Sequence, residues 1–282
     1  MFNTSLNQAV EDFTSLMLPL SEKDLEHPWV WKDHDEEGIR FAFFVTLQEL
    51  RQLAVTLSTH RTRQTAAQLI LSQYHVAYMD LQAALLGISN GDADRLPGEG
   101  EWPVQKTYAH ILSTELNFTI TIRYALENHR AGTWTPRKFS DEDADRLAGI
   151  TDEEYLALIK KPLENMLAYH HDLHRVILAE FSSIADRELE LPSTFWEETR
   201  FPIRHRLHRY EAHFVQHTVQ IDKTLVAIRQ TPTEPKRLLR NIYAALAEVE
   251  GMMIGAENMD DAAILATASS ISERTKEIRN IF

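Results

Sequence analysis

EAHFVQHTVQID, Glu211–Asp222, sets two histidines four residues apart among apolar neighbours, and its reading decides the fold. Taken as helix, a step of four residues turns the chain by about 400°, so His213 and His217 share one face, one turn apart. Gln220, at i+7 from His213, lies on the same stripe. Phe214, Val215, Val219, Ile221 and Leu225 surround these residues and predict a helix with much of its surface buried. Two imidazoles on one face can reach one ion. A catalytic metal needs a third protein ligand and an open position for water or substrate. The spacing alone leaves the pair open as ligands or as two packed histidines, and the stronger His-Glu-x-x-His pattern is absent.

Outward from this stretch, helical periodicity continues in both directions. Helices are expected over about 4–18, 36–59, 62–88, 102–128, 151–183, 202–230, 235–255 and 258–280. Phe41, Phe44, Leu47 and Leu50 mark the second; Leu69, Leu71, Val76, Met79, Leu81 and Leu85 mark the third. Thr151 and Glu154 stand in capping-box positions, and Pro162 predicts a kink or a restart soon after. The stretch 130–149 reads as a long polar loop, and 186–202 as a loop with a little extended structure. Only 9 glycines and 10 prolines punctuate 282 residues, which argues against an all-β fold. The expected class is all-α. It comprises an N-terminal helical extension (1–60) packed on the core, a four-helix core (61–230) and a C-terminal helical extension (231–282). Leu238, Ile242, Leu246 and Val249 would share one face of a helix in the last of these. PWVW, with Trp29 and Trp31, reads as a loop anchor or a pocket cap.

Composition removes several function classes. The net charge of −13 disfavours nucleic acid and anionic membrane surfaces as partners; it says nothing about a small-molecule substrate, which is the partner expected. No cysteine is present, so disulfides, thiolate-bound metals and cysteine nucleophiles are excluded. MFNTSLNQAVEDFTSL lacks a basic n-region and a long apolar h-region, and no run approaches about 18 apolar residues. A cytoplasmic protein is therefore expected. No Gly-x-Ser-x-Gly elbow supports serine catalysis. The Gly-x-Gly of PGEGEWP meets Pro103 where a dinucleotide fingerprint needs glycine. Paired Glu-x-x-His motifs for a di-iron bundle are also missing.

A second histidine pair, equal by spacing, competes with this one, and a further histidine lies on another helix. AYHHDLHR carries His170 and His174 at the same spacing, with His171 between, but Asp172 and Arg175 give it the look of a solvated face. In EWPVQKTYAHILSTELNF, helix steps line up His110, Thr114, Asn117 and Thr121 as a polar stripe beside Tyr108, Leu112, Leu116 and Ile120. Such a stripe can face water or form the wall of a polar pocket.

Taken together, these pieces resemble the DinB-like (YfiT-like) superfamily of bacterial metal-binding four-helix bundles. Gly100-Glu101-Trp102 followed by His110 resembles that family's Gly-Glu-Trp-Ser helix entry, with Pro103 in place of the serine. His213-x3-His217-x2-Gln220 resembles its His-x3-His-Arg-Gly-Gln run, with Thr218 and Val219 in place of arginine and glycine. The resemblance covers about 60–230. It implies His110, His213 and His217 as ligands of one divalent metal, often zinc or nickel. Neutral imidazoles suit such ions and leave open positions. Gln220, Asn117 and Thr114 are candidates to orient the imidazoles or line the pocket. The resemblance further implies thiol S-transferase chemistry with a low-molecular-weight thiol cosubstrate such as mycothiol or bacillithiol, and a homodimer. Metal-dependent hydrolysis, a non-catalytic metal-binding or stress-response protein, and a metal-free helical scaffold stay open as alternatives.

Overall fold

The structure is a computed structural model that describes residues 3–34, 36–136, 139–195, 199–257 and 259–282. Among the described residues the chain is all-α, with twelve helices. In order they are α1 (Thr4–Met17), α2 (Glu22–Leu25), α3 (Phe41–His60), α4 (Ala66–Ala84), α5 (Asn90–Ala93), α6 (Val104–Ala131), α7 (Asp141–Ala148), α8 (Asp152–Leu158), α9 (Leu163–Phe181), α10 (Ile203–Ala227), α11 (Glu234–Met253) and α12 (Asp261–Arg279). None is long and apolar enough to cross a membrane.

The chain divides into two compact units. One comprises Met1–Arg63, Tyr78–Gly87 and Thr231–Phe282, so the two terminal extensions share a unit. In it α1 packs on α12, and α3 packs on α11 and α12. Phe13 meets Phe43 edge to face, with centroids 5.5 Å apart. The Arg274 side chain is fully buried and paired. It reaches Glu49 at 2.8 Å and the Thr46 hydroxyl at 2.6 Å, and lies 4.7 Å from the Trp31 ring centroid. Trp29 and Trp31 are buried and stacked, so PWVW anchors this core. Arg61 donates to the carbonyls of Gly251, Met252 and Ile254, which the end of α11 leaves without helical partners.

The second unit comprises Gln64–Ala77 and Ile88–Gln230. Here α6 packs along α10 and also against α9, while Tyr74, from the first part of α4, stacks on Tyr210 of α10 at 4.7 Å. Pro103 and Pro202 open α6 and α10, where a missing N–H costs nothing. Pro103 offers no side-chain cap, which a serine there would supply. α6 ends on Gly132, whose φ of 69° lets its N–H return to His129 and Thr133 N–H to Asn128.

Local signals explain where the expected elements held and where they moved. The Thr151–Glu154 capping box forms, and the chain restarts as α9 after Pro162 rather than kinking. The stretch 130–149 is not all loop, because α7 lies within it. Ser140 caps α7, and Leu147, with Ala144 and Ala148, packs on Ile120 and Tyr124 of α6. One apolar residue was too little periodicity to expose a helix this short. α3 starts at Phe41 and buries Phe43, Thr46, Leu50, Leu53 and Leu57, leaving Phe44 at 47% exposure. Steps of three drift around a helix, whereas alternating steps of three and four stay on one face. The same correction applies to Leu69, Val76, Val215 and Val219, which are exposed. In the loop before α10, Glu188–Glu190 make a 3-10 turn, and Pro192–Ser193 pair antiparallel with Phe201–Pro202. Residues 196–198 of that loop, and residue 258 at the expected start of the last helix, lie outside the described residues.

Candidate metal centre

α6 carries His110 two turns from its start, and α10 packed along it carries His213 and His217. The three come together, each offering a ring nitrogen within 4.8 Å of the others. His110 Nε2 and His213 Nε2 are 3.3 Å apart, and the rings of His213 and His217 are 4.3 Å apart. His213 and His217 are buried, while His110 is half-buried with the edge of Trp102 against it at 5.5 Å.

Electrostatics favours lone pairs over protons here. Burial lowers the affinity of His110 for a proton, and the neighbouring His217 lowers it further. Burial, with His217, His110 and Arg209 adding to it, pulls His213 down to about 3. Gln220 Oε1 lies 2.8 Å from His217 Nδ1, so the amide oxygen accepts from Nδ1–H and leaves the Nε2 lone pair available. His213 Nδ1 is buried without a hydrogen-bond partner, a polar atom whose burial is costly unless something satisfies it. Three neutral imidazoles with converging nitrogens are compatible with a divalent metal ion.

Two clefts meet at these histidines. One, of about 560 Å³, is lined by Trp102, Gln220 and Lys223 with His110 and His217. The other, of about 700 Å³, adds Thr114, Asn117, Phe118 and Arg209. The polar stripe of α6 is therefore largely a pocket wall, although Thr121 at its end is buried. Thr114 and Asn117 line the cleft, and among the described residues neither hydrogen-bonds a histidine. The Asn117 amide donates instead to the Ser113 carbonyl at 2.8 Å. Of the two residues that set this α10 run apart, Thr218 is buried and Val219 exposed.

The competing pair needs correction. His170 and His174 are buried inside the unit rather than solvated, and of the three histidines in that run only His171 is exposed. They belong to a polar network around Glu115 of α6, whose side chain is fully buried. His170 Nε2 is 2.5 Å from Glu115 Oε2, the Tyr74 hydroxyl donates to Glu115 Oε1, and Tyr108 Oη lies 2.6 Å from His170 Nδ1. His174 Nε2 lies 2.9 Å from His75 Nδ1. Burial raises the Glu115 carboxyl above its usual range, against the pull of His170. Burial, then the neighbouring His75, His170 and His171, holds His174 well below the ordinary imidazole value. The missed signal was the phase of Glu115, which falls on the buried line Tyr108, Leu112, Glu115, Thr119, Ile122.

These shifts set a pH dependence for the metal-free protein. His174 and His213 are depressed, so below about pH 6.5 the unfolded chain binds protons that the folded chain refuses, and stability falls. Glu115 is raised and works the other way, but it is one group against three, since His110 is depressed as well. Thermal unfolding after chelator treatment is expected to show a midpoint that drops between pH 6.5 and 5. A flat or rising midpoint would contradict the buried neutral imidazoles.

An all-α fold with a three-histidine cluster open to clefts defines a class, helical proteins whose geometry is compatible with a divalent metal. The chain belongs to the DinB superfamily, whose family profile matches residues 73–221, more than half of the sequence. No curated protein and no solved structure gave a match.

Proposed function

We propose that this protein is a metal-dependent enzyme of the thiol S-transferase type, acting in the cytoplasm on a small molecule, with His110, His213 and His217 holding zinc or nickel. The observation that carries this reading is the convergence of three imidazoles where two clefts meet. Membership of the DinB superfamily supports it. When bound, the ion would supply Lewis acidity that lowers the pKa of a thiol or water at an open position. The chain does the rest. Burial keeps His110 and His213 unprotonated, and Gln220 fixes the His217 ring through Nδ1. Trp102 shields one side of His110, and the clefts give access from the other directions.

The test uses zinc-loaded and metal-free protein with 1-chloro-2,4-dinitrobenzene and, in turn, mycothiol, bacillithiol and glutathione. At least one thiol should be conjugated about 100-fold faster by the zinc-loaded form, the scale of several kcal/mol of metal assistance. His217→Ala should abolish the difference. Equal rates with and without metal, for every thiol, would remove the transferase reading.

A further inference from the structure

The α10 face that presents His213 carries Arg209 one turn earlier. Arg209 is exposed in the larger cleft, with its guanidinium carbon 5.9 Å from the Phe118 ring centroid. It has no ion-pair partner among the described residues, in a chain where 42 acidic residues outnumber 29 basic ones. Carboxylates are abundant, yet among the described residues none is placed to neutralise Arg209.

Arg206, one turn nearer the start of α10, is different. It is buried, its Nε donates to Ser193 Oγ at 3.1 Å, and its guanidinium lies 5.2 Å from the Phe201 ring. It is part of the wall. The cleft therefore joins an aromatic lining, a guanidinium without an ion-pair partner among the described residues, and the three imidazoles. An anionic head on an apolar body matches that sequence of surfaces.

We propose that this cleft binds a small carboxylate-bearing molecule, with Arg209 gripping the carboxylate and Phe118 and Phe201 covering its apolar body. The other end of the molecule then lies against His110, His213 and His217. Arg209 and His213 are four residues apart on the helix, a rise of ~6 Å, so the ligand is short. Arg209 is a specificity-determining residue in this account, because a planar guanidinium pairs with a carboxylate through two parallel hydrogen bonds. The placement of the reacting end rests on the metal-centre reading above; the carboxylate grip does not.

The experiment titrates 3-phenylpropionate and 3-phenylpropanol into the protein by calorimetry at low salt, zinc-loaded and metal-free. The acid should bind about tenfold more tightly than the alcohol, the scale of one charge-assisted contact in a partly wet site. Arg209→Gln should erase that preference without weakening the alcohol, and Arg209→Lys should keep part of it. The position is exposed, so neither substitution should move the unfolding midpoint. A preference unchanged in Arg209→Gln, or no binding of either probe, would overturn the proposal. Zinc content is read on the same samples. Failure to take up zinc removes the metal centre, while the preference measured on metal-free protein still decides the role of Arg209.

Discussion

His213→Ala is expected to strip the protein of divalent metal. Wild type, loaded and then dialysed against metal-free buffer, should retain about one equivalent by elemental analysis, and the variant less than about a tenth of that. His213 is buried, its nitrogen is 3.3 Å from that of His110, and its ring is 4.3 Å from that of His217, so its removal leaves two ligands on different helices. Even partners that only orient a ligand change metal affinity by about 10–100-fold, and loss of a ligand should exceed the upper end of that range. Gln220→Ala should fall within the range, because it frees the His217 ring from its one fixed hydrogen bond. His171→Ala, at an exposed position, should keep the full equivalent. Undiminished metal in His213→Ala would sink the three-histidine centre.

The second large effect lies in the Glu115 network. His170→Leu should lower the free energy of unfolding by about 3–5 kcal/mol, the usual cost of leaving one buried partner without the other. The substitution removes the His170 partner of Glu115 Oε2 and of the Tyr108 hydroxyl, while Tyr74 still donates to Glu115 Oε1. Glu115→Gln should cost only about 1–2 kcal/mol, since an amide can still bond Tyr74 and His170 and brings no charge to bury. The physical basis is the upward push of burial on Glu115, which already penalises its charged form. Urea unfolding midpoints would separate the two variants. A His170→Leu protein within 1 kcal/mol of wild type would mean that the network contributes little to folding.

The network also marks how far sequence reading reached. Helix existence was legible nearly everywhere, because backbone propensity, capping and breaking are local. Thr151 and Glu154 announced α8, Pro162 announced a break, and Pro202 announced α10. The faces of those helices were less legible. Phe44 and Val219 are apolar and exposed, while Glu115 and His170 are ionisable and buried, since inward and outward are defined only by the helix that packs opposite. A short helix such as α7, held by Leu147 and two alanines, gives too few residues for a period to show.

The candidate site divides along the same line. By itself the sequence determined that His213 and His217 share a face with Gln220, and that His110 heads a polar stripe, because a helix repeats every 3.6 residues whatever surrounds it. It determined the same for His170 and His174, so spacing made the two pairs equal. Only the tertiary structure separated them. The packing of α6 along α10 brings His110 to one pair beside open clefts, where nitrogens converge. Burial beside Glu115 and His75 instead gives the other pair carboxyl and imidazole partners within the protein. Identical local geometry acquires different chemistry because desolvation and partner placement act through space, between residues up to 107 positions apart along the chain.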